Sequence, residues 1–390
     1  MRTIHLSLPL MRRLLIAFVV LLLGLAISAS AQPPPGQVES IVTSAGPVGV
    51  YSVAGDLDHP WGMAFLPDGR MLVTERPGRL RIVDSSFVST PVMGTPTVYA
   101  QDQGGLLDVA LDPDFGDNAY VYLSYAKPGP AGEAATAVGR ARWVAGADSL
   151  AGWEDLFVQE PYIESGAHFG SRLAFTPDGH LVITTGERFQ FSPAQDLSTH
   201  FGKVIRINRD GSVPDDNPFV GQSGAQPEIW SYGHRNVQAV AVDPSTDALY
   251  VVEMGPLGGD ELNRIERGAN YGWPVVSWGM NYDGTPIPDP PTRPEFTDAV
   301  KQWTPVISPN GMVFYTGGVY DGWDGSAVIG SLSQMGIVRV EIEGGEVVDE
   351  EILVLGARIR DVEQGPDGSV YVLTDASDGA VWRLAPLPTD

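Results

Sequence analysis

Cysteine is absent from all 390 residues. That excludes disulfides, thiolate metal sites, a cysteine nucleophile and a lipid-anchored N-terminus together. Lysine is almost absent: Lys127, Lys203 and Lys301 are the whole set. With 48 Asp and Glu against 24 Lys and Arg, the formal charge is −24, a surface that repels nucleic acid and anionic lipid. No apolar run is long enough to span a bilayer, which takes roughly 20 residues; residues 14–28 fall short. No long stretch shows the 3.6-residue helical period. Nor is there a G-x-G-x-x-G, a G-x-S-x-G or an H-E-x-x-H, so a Rossmann nicotinamide site, a serine hydrolase and a zincin all lack their residues.

The short apolar run has a meaning of its own. Arg12 and Arg13 precede 14-LLIAFVVLLLGLAIS-28, and Ala29-Ser30-Ala31 follows as a small-x-small cleavage site. This is the pattern of a secretory signal over residues 1–31, which predicts a periplasmic or secreted mature chain with no membrane insertion. Residues 32–56 begin with the tether 32-QPPPG-36 and run into a first strand region. A mature chain without disulfides depends on an ordinary apolar core, and one of this length buries enough surface to build it.

From residue 57 to residue 386 the chain repeats one unit: an apolar strand, a Pro-Asp-Gly-type turn and a second apolar strand. Copies are 61-WGMAFLPDGRMLVTE-75, 105-GLLDVALDPDFGDNAYVYLSYA-126, 172-RLAFTPDGHLVITTGE-187, 237-VQAVAVDPSTDALYVVE-253 and 361-DVEQGPDGSVYVLTD-375. The gap from Pro244 to Pro366 is about twice the others, and the degenerate copy 311-GMVFYTG-317 fills it, giving six units. Further apolar segments follow, such as 78-GRLRIVD-84 and 203-KVIRIN-208. Period-two alternation bounded by Gly, Pro and Asp marks strands, and a repeat of this length with about four antiparallel strands is a blade. The sequence predicts an all-β, six-bladed β-propeller.

In a propeller the first strand of each blade runs beside the axis, so the residues entering those strands converge. Counting back from the turn prolines places His59, Gln103, His168, Arg235, Arg358 and Arg360 at one rim, with Ser308 and Asn310 in the degenerate blade. Arginine forks bind carboxylates in bidentate fashion, so this rim suits a planar polyanion. Two neighbouring stretches join it: 253-EMGPLGGDE-261, where backbone carbonyls at Gly255 and Pro256 are candidate calcium ligands, and the aromatic 270-NYGWPVVSWGMNYDG-284.

Taken together, 165-SGAHFGSRLAF-175, 194-AQDLSTHFGKVIRIN-208, 228-EIWSYGHRN-236, 255-GPLGGDEL-262, 270-NYGWP-274 and 359-IRDVEQGPDG-368 resemble the soluble sugar dehydrogenases that depend on pyrroloquinoline quinone (PQQ). This is the glucose/sorbosone dehydrogenase family, and the likeness is strongest to its aldose sugar dehydrogenase branch. The resemblance implies that PQQ lies over the axis, that an aldose is oxidised to a lactone, and that an external acceptor takes the electrons. By the same resemblance His168 is the base for the anomeric hydroxyl and Arg235 stabilises the oxygen that turns negative. It further assigns Asn236, Arg358 and Arg360 to the cofactor's carboxylates and carbonyls, and Gln103 to the sugar side. Ca²⁺ is held by Gly255 and Pro256, with Tyr271 close to that loop and cofactor.

Three positions depart from the family pattern. Ser333 stands where a cofactor-contacting lysine is usual, Ala167 where Asp or Asn precedes the histidine, and Met254 where His or Gln precedes the Gly-Pro pair. Loss of one cationic contact costs about 1.5–3 kcal/mol of binding. The alternative from another class is a non-catalytic propeller that binds a glycan or protein partner, and Ser333 and Ala167 are its evidence. A propeller lactonase would want acidic side chains around an axial metal, whereas this rim is basic and neutral.

Overall fold

A computed structural model describes residues 36–84, 88–287 and 291–388; the expected signal segment lies outside them. The described chain forms 24 strands, β1–β24 in chain order, and helix is confined to one α-turn at Phe115–Asn118 and two short 3-10 turns. The strands make six antiparallel sheets arranged as a six-bladed β-propeller. One strand from each sheet lines the axis: β3 (Pro60–Phe65), β6 (Leu106–Leu111), β10 (Gly170–Phe175), β14 (Val237–Val242), β18 (Pro309–Phe314) and β22 (Ile359–Gln364). Each packs against the next, and β22 returns beside β3.

The first four residues of every axial strand are buried. A strand covered by blades on both faces has no solvent side, which is why these segments read as near-continuous apolar runs. Between neighbouring blades lie separate apolar clusters. Leu72 and Ile82 of the first blade meet Val109 and Val121 of the second; Val328 and Ile337 of the fifth meet Val362 and Val372 of the last. Burying one such side chain contributes about 1.5–3 kcal/mol, so adjacent blades supply each other's core.

Four sheets have the expected four strands. The first has three, β3 with β4 (Met71–Glu75) and β5 (Arg79–Val83). The last has five, because β1 (Gln37–Thr43) and β2 (Gly46–Leu57) join β22, β23 (Val370–Thr374) and β24 (Gly379–Pro386). Residues before 57 are therefore more than a tether. Strand β2 pairs with β24, Val50 opposite Leu384 and Tyr51 opposite Arg383, so the N-terminal side of the chain completes the C-terminal blade and fastens the ring.

Every axial strand shifts register near its entry. A bulge of this kind bends a strand and re-aims its side chains. Hydroxyls on the second strands fill the first three bulges and hand the chain on to the next blade. Thr74 accepts from Gly62 N and donates to Leu107 O; Ser124 accepts from Asp108 N and donates to Ser171 O; Thr184 accepts from Arg172 N and donates to Val237 O. The bulges thus fix how side chains enter the axis.

Candidate active site

The axial strands open at one end into a cavity of about 530 Å³. Of the predicted rim residues, His59, Gln103, Asn236, Ser308, Arg358 and Arg360 line it. Arg76 and Asp375, which sequence reasoning did not single out, line it as well. The charge is three arginines against one carboxylate. Asp375 Oδ2 accepts from Arg360 Nη2 at 2.8 Å and from Arg358 Nη2 at 3.2 Å. Burial opposes ionisation of Asp375, but the charge and hydrogen bonds of Arg360 and Arg358 outweigh it and hold the carboxyl below its ordinary value. Arg360 also donates from Nη1 to Asn310 Oδ1 at 2.9 Å, while its buried Nε has no acceptor. Burial lowers the Arg360 pKa, and an incoming anion would relieve that cost.

His168 is not itself among the residues that line the cavity; it directly precedes Phe169 and Gly170, which do, and has a left-handed backbone conformation (φ 52°). Its amide donates to Gln103 Oε1 at 2.8 Å, so that glutamine places the histidine as well as lining the cavity. The ring is almost fully buried, with Phe189 packed on it at 4.2 Å. Nδ1 lies 2.6 Å from Glu187 Oε1. An ionised carboxylate only accepts, so this contact puts the ring proton on Nδ1 and leaves the Nε2 lone pair free. Burial lowers the imidazole pKa most; the Glu187 hydrogen bond raises it, and the Arg235 and Arg188 charges lower it again. The result lies below the ordinary histidine value, so the ring is neutral and able to accept a proton at neutral pH.

Glu187 was missed, although the repeats carry its signal. Four of the five quoted copies that carry the turn end in an acid, Glu75, Glu187, Glu253 and Asp375, and each carboxylate turns back onto the entry to its own blade's axial strand. Glu75 accepts from Asp58 N, Glu187 meets His168, Glu253 accepts from Arg235 N and meets His234, and Asp375 takes Arg358 and Arg360. A carboxylate at the end of the second strand is the structural partner of the rim.

Other expected residues sit differently. The Arg235 guanidinium does not line the main cavity. It stands in a small adjoining pocket with Met254, a residue common to both. There it lies 5.2 Å from the Trp273 ring centroid, 5.6 Å from Tyr282 and 5.9 Å from Phe189. Its Nη1 donates to the carbonyls of Met254 and Gly255, each at 2.8 Å, and its buried Nε has no acceptor. The Gly255 carbonyl, expected to face Ca²⁺ together with Pro256, is therefore engaged by a guanidinium. Among the described residues no group of three or more His, Cys, Asp or Glu is placed to hold a metal ion. Tyr271, expected beside the cofactor, stacks on His234 at 4.6 Å, and its hydroxyl donates to Arg264 O and accepts from Glu266 N. Its hydroxyl is thus held by the chain segment just before it and not by the Gly255–Pro256 loop. Asn236 uses Oδ1 on Gly170 N and Gln238 Nε2. Exposed Ser333 donates to Val306 O and follows Leu332, which lines the cavity. Ala167 has no polar side-chain atom; its amide donates to Ser165 Oγ and its carbonyl accepts from Arg188 Nε.

Comparison with known proteins shows the family of the chain that carries this site. The family model described as Glucose / Sorbosone dehydrogenase matches residues 57–383. The chain is 42% identical to aldose sugar dehydrogenase YliI of Escherichia coli (strain K12), over 87% of this chain and 93% of that protein. Among solved structures, the soluble aldose sugar dehydrogenase of Escherichia coli in its apo form superposes with a TM-score of 0.85, covering 87% of this chain and 100% of that one at 42% identity. The PQQ-bound aldose sugar dehydrogenase of Streptomyces coelicolor superposes with a TM-score of 0.72 over 89% of this chain and 99% of that one, at 27% identity. A basic axial cavity, with a carboxylate-held histidine next in the chain to its lining residues Phe169 and Gly170, is thus carried by a chain that belongs to the glucose/sorbosone dehydrogenase family of sugar dehydrogenases.

Proposed function

We propose that this protein is a quinoprotein that oxidises aldoses at the anomeric carbon to lactones, with PQQ seated in the axial cavity and an external acceptor taking the electrons. One observation carries the reading: a buried His168–Glu187 pair directly precedes, along the chain, the Phe169–Gly170 part of the wall of a cavity whose charge is set by Arg76, Arg358 and Arg360 against Asp375 alone. The cavity fits the group. PQQ is a planar tricarboxylate, and the buried Arg360 Nε is a donor without an acceptor. When bound, PQQ supplies the two-electron acceptor for hydride from the sugar. Arg358 and Arg360, joined by Arg76, hold its carboxylates, and Asn236 presents its amide beside them. Arg235 stands in the adjoining pocket with Nη1 on the Met254 and Gly255 carbonyls, so it is assigned no contact with the group.

His168 holds its own proton on Nδ1 toward Glu187 and receives the anomeric hydroxyl proton on Nε2. Glu187 then faces an imidazolium, whose charge it stabilises. Ca²⁺ does not fit the Gly255–Pro256 loop as it stands, because Arg235 Nη1 donates to the Gly255 carbonyl and places a positive charge at that position. We assign the ion no step. The mature protein is placed in the periplasm or outside the cell on the strength of residues 1–31. Among the described residues no helix is long and apolar enough to cross a membrane.

The test is to mix purified protein with PQQ, with and without added Ca²⁺, supply a panel of aldoses and follow reduction of an acceptor dye. His168→Ala should keep PQQ bound and nearly abolish turnover; unchanged rates would remove His168 as the base. Failure of PQQ to bind, with no aldose oxidised, would leave the non-catalytic propeller standing.

A further inference from the structure

A second, smaller cavity of about 340 Å³ lies on the same axis, one residue layer below the first. The upper cavity is lined by Trp61, Leu107, Gly170, Gln238 and Arg360. The lower is lined by residues next along the same strands, including Met63, Val109, Leu173, Val240 and Asp361. The layer between them is organised by one side chain that the proposed chemistry does not use, Arg172 of β10.

All five N–H groups of the Arg172 guanidinium have acceptors. Nε donates to Gln238 O at 2.9 Å in β14. Nη1 donates to Asp361 Oδ1 at 2.6 Å in β22 and to Asp108 Oδ1 at 3.4 Å in β6. Nη2 donates to Arg360 O at 2.6 Å in β22 and to Trp61 O at 3.5 Å in β3. The guanidinium also stacks on the Trp61 ring at 4.0 Å. Five of the six axial strands therefore meet on one cation. Two glycines make room for the carboxylates: a Cβ at Gly62 would fall 2.6 Å from Asp108 Oδ1, and one at Gly311 of the remaining strand, β18, would lie closer still to Asp361 Oδ1. Ser171, immediately before Arg172, sits at φ 82° within the β10 bulge, a conformation that a residue other than glycine adopts only under constraint from its surroundings.

We propose that Arg172 is a positioning residue for the anion seat, which it builds from below by fixing three of the groups that line the upper cavity. These are the Trp61 ring, the main chain of Gln238 and the main chain of Arg360, whose own guanidinium faces the ligand. The inference rests on reading that cavity as the seat of PQQ. Its second effect is electrostatic. Arg172 is the counter-charge for Asp108 and Asp361. A lysine keeps the charge but has neither the planar fork nor the stacking face.

The experiment compares wild type, Arg172→Lys and Arg172→Met by calorimetric titration with PQQ and by thermal melting of the unliganded protein. Arg206→Lys is the control. Arg206 is also a buried forked arginine, paired with Asp216 and lying 4.6 Å from the Trp230 centroid, but it lies in the same blade away from the axis. Both Arg172 variants should bind PQQ at least tenfold more weakly, whereas Arg206→Lys should lower the melting temperature and leave PQQ affinity within twofold of wild type. If Arg172→Met does not fold, because it leaves Asp361, Asp108 and the Gln238 and Arg360 carbonyls without their donor, Arg172→Lys carries the comparison, since lysine keeps a charge opposite those carboxylates. Equal PQQ affinity in wild type and a folded Arg172 variant overturns the positioning role. Absence of PQQ binding in the wild type overturns the proposed function and this inference with it.

Discussion

Glu187→Gln is the sharpest probe of the site, because the two carboxylate oxygens have different partners. Oε1 faces His168 Nδ1 at 2.6 Å, and Oε2 accepts from Phe191 N at 2.7 Å. Glutamine has one acceptor oxygen. If that oxygen stays on Phe191, the amide NH2 faces Nδ1 and selects the tautomer protonated on Nε2, which cannot take a proton from the sugar. If it turns to His168, the Phe191 amide loses its acceptor, at little cost in stability because Phe191 is exposed to water. In both cases the negative charge opposite the developing imidazolium is gone. A charge-assisted hydrogen bond contributes about 1.5–3 kcal/mol. At about 1.4 kcal/mol per tenfold, that alone lowers kcat about 10- to 100-fold, and the wrong tautomer lowers it further. Steady-state dye reduction with saturating PQQ measures the loss. The pH profile gives a second reading. Burial, opposed by Glu187 and reinforced by Arg235 and Arg188, holds His168 below its ordinary value, so the wild-type rate falls as pH drops through a point below about 6.5. Removing the Glu187 charge removes the interaction that raises this pKa and moves the acid limb lower still. Glu187→Asp keeps the charge and should recover part of the rate. A Glu187→Gln enzyme with kcat/KM within twofold of wild type and an unmoved acid limb would refute this account of the base.

Two further substitutions test the anion seat. Arg360→Met removes one charge-assisted contact and should weaken PQQ binding about 10- to 100-fold, from about 1.5–3 kcal/mol, as read by titration; Asp375 keeps Arg358 as a partner, so the fold should survive, and an unchanged affinity would take Arg360 out of the seat. Ser333→Lys places a cation next to Leu332 at the cavity edge and should tighten PQQ by a comparable factor, whereas no change would show that a side chain at 333 does not reach the ligand.

The blade repeat was legible because burial between neighbours imposes an apolar run on each axial strand, and turn chemistry marks where it ends. Counting back from Pro67, Pro113, Pro177, Pro244 and Pro366 brought His59, Gln103, His168, Arg358 and Arg360 to one end of the axis, since a fixed repeat places equivalent residues at equivalent heights. The closing strand was less legible. Val48 and Val50 are core residues, yet β2 follows a proline-rich stretch and pairs with a strand more than 300 residues away, which local patterning does not encode.

Side-chain direction was the part the sequence withheld. Arg235 and Tyr271 occupy the expected positions along the chain, but their polar groups turn to Gly255 O and Arg264 O. Glu187 and Asp375 recur at the ends of second strands, yet only the register between strands shows which residue each carboxylate meets. Arg172 reads as an isolated charge in 170-GSRLAF-175. The sequence by itself determined the period, the number of blades and the residue types at the rim, because these follow from local burial and spacing. Only the tertiary structure decided that five strands share one guanidinium and which histidine nitrogen is free, because both depend on contacts between segments that become neighbours when the ring closes.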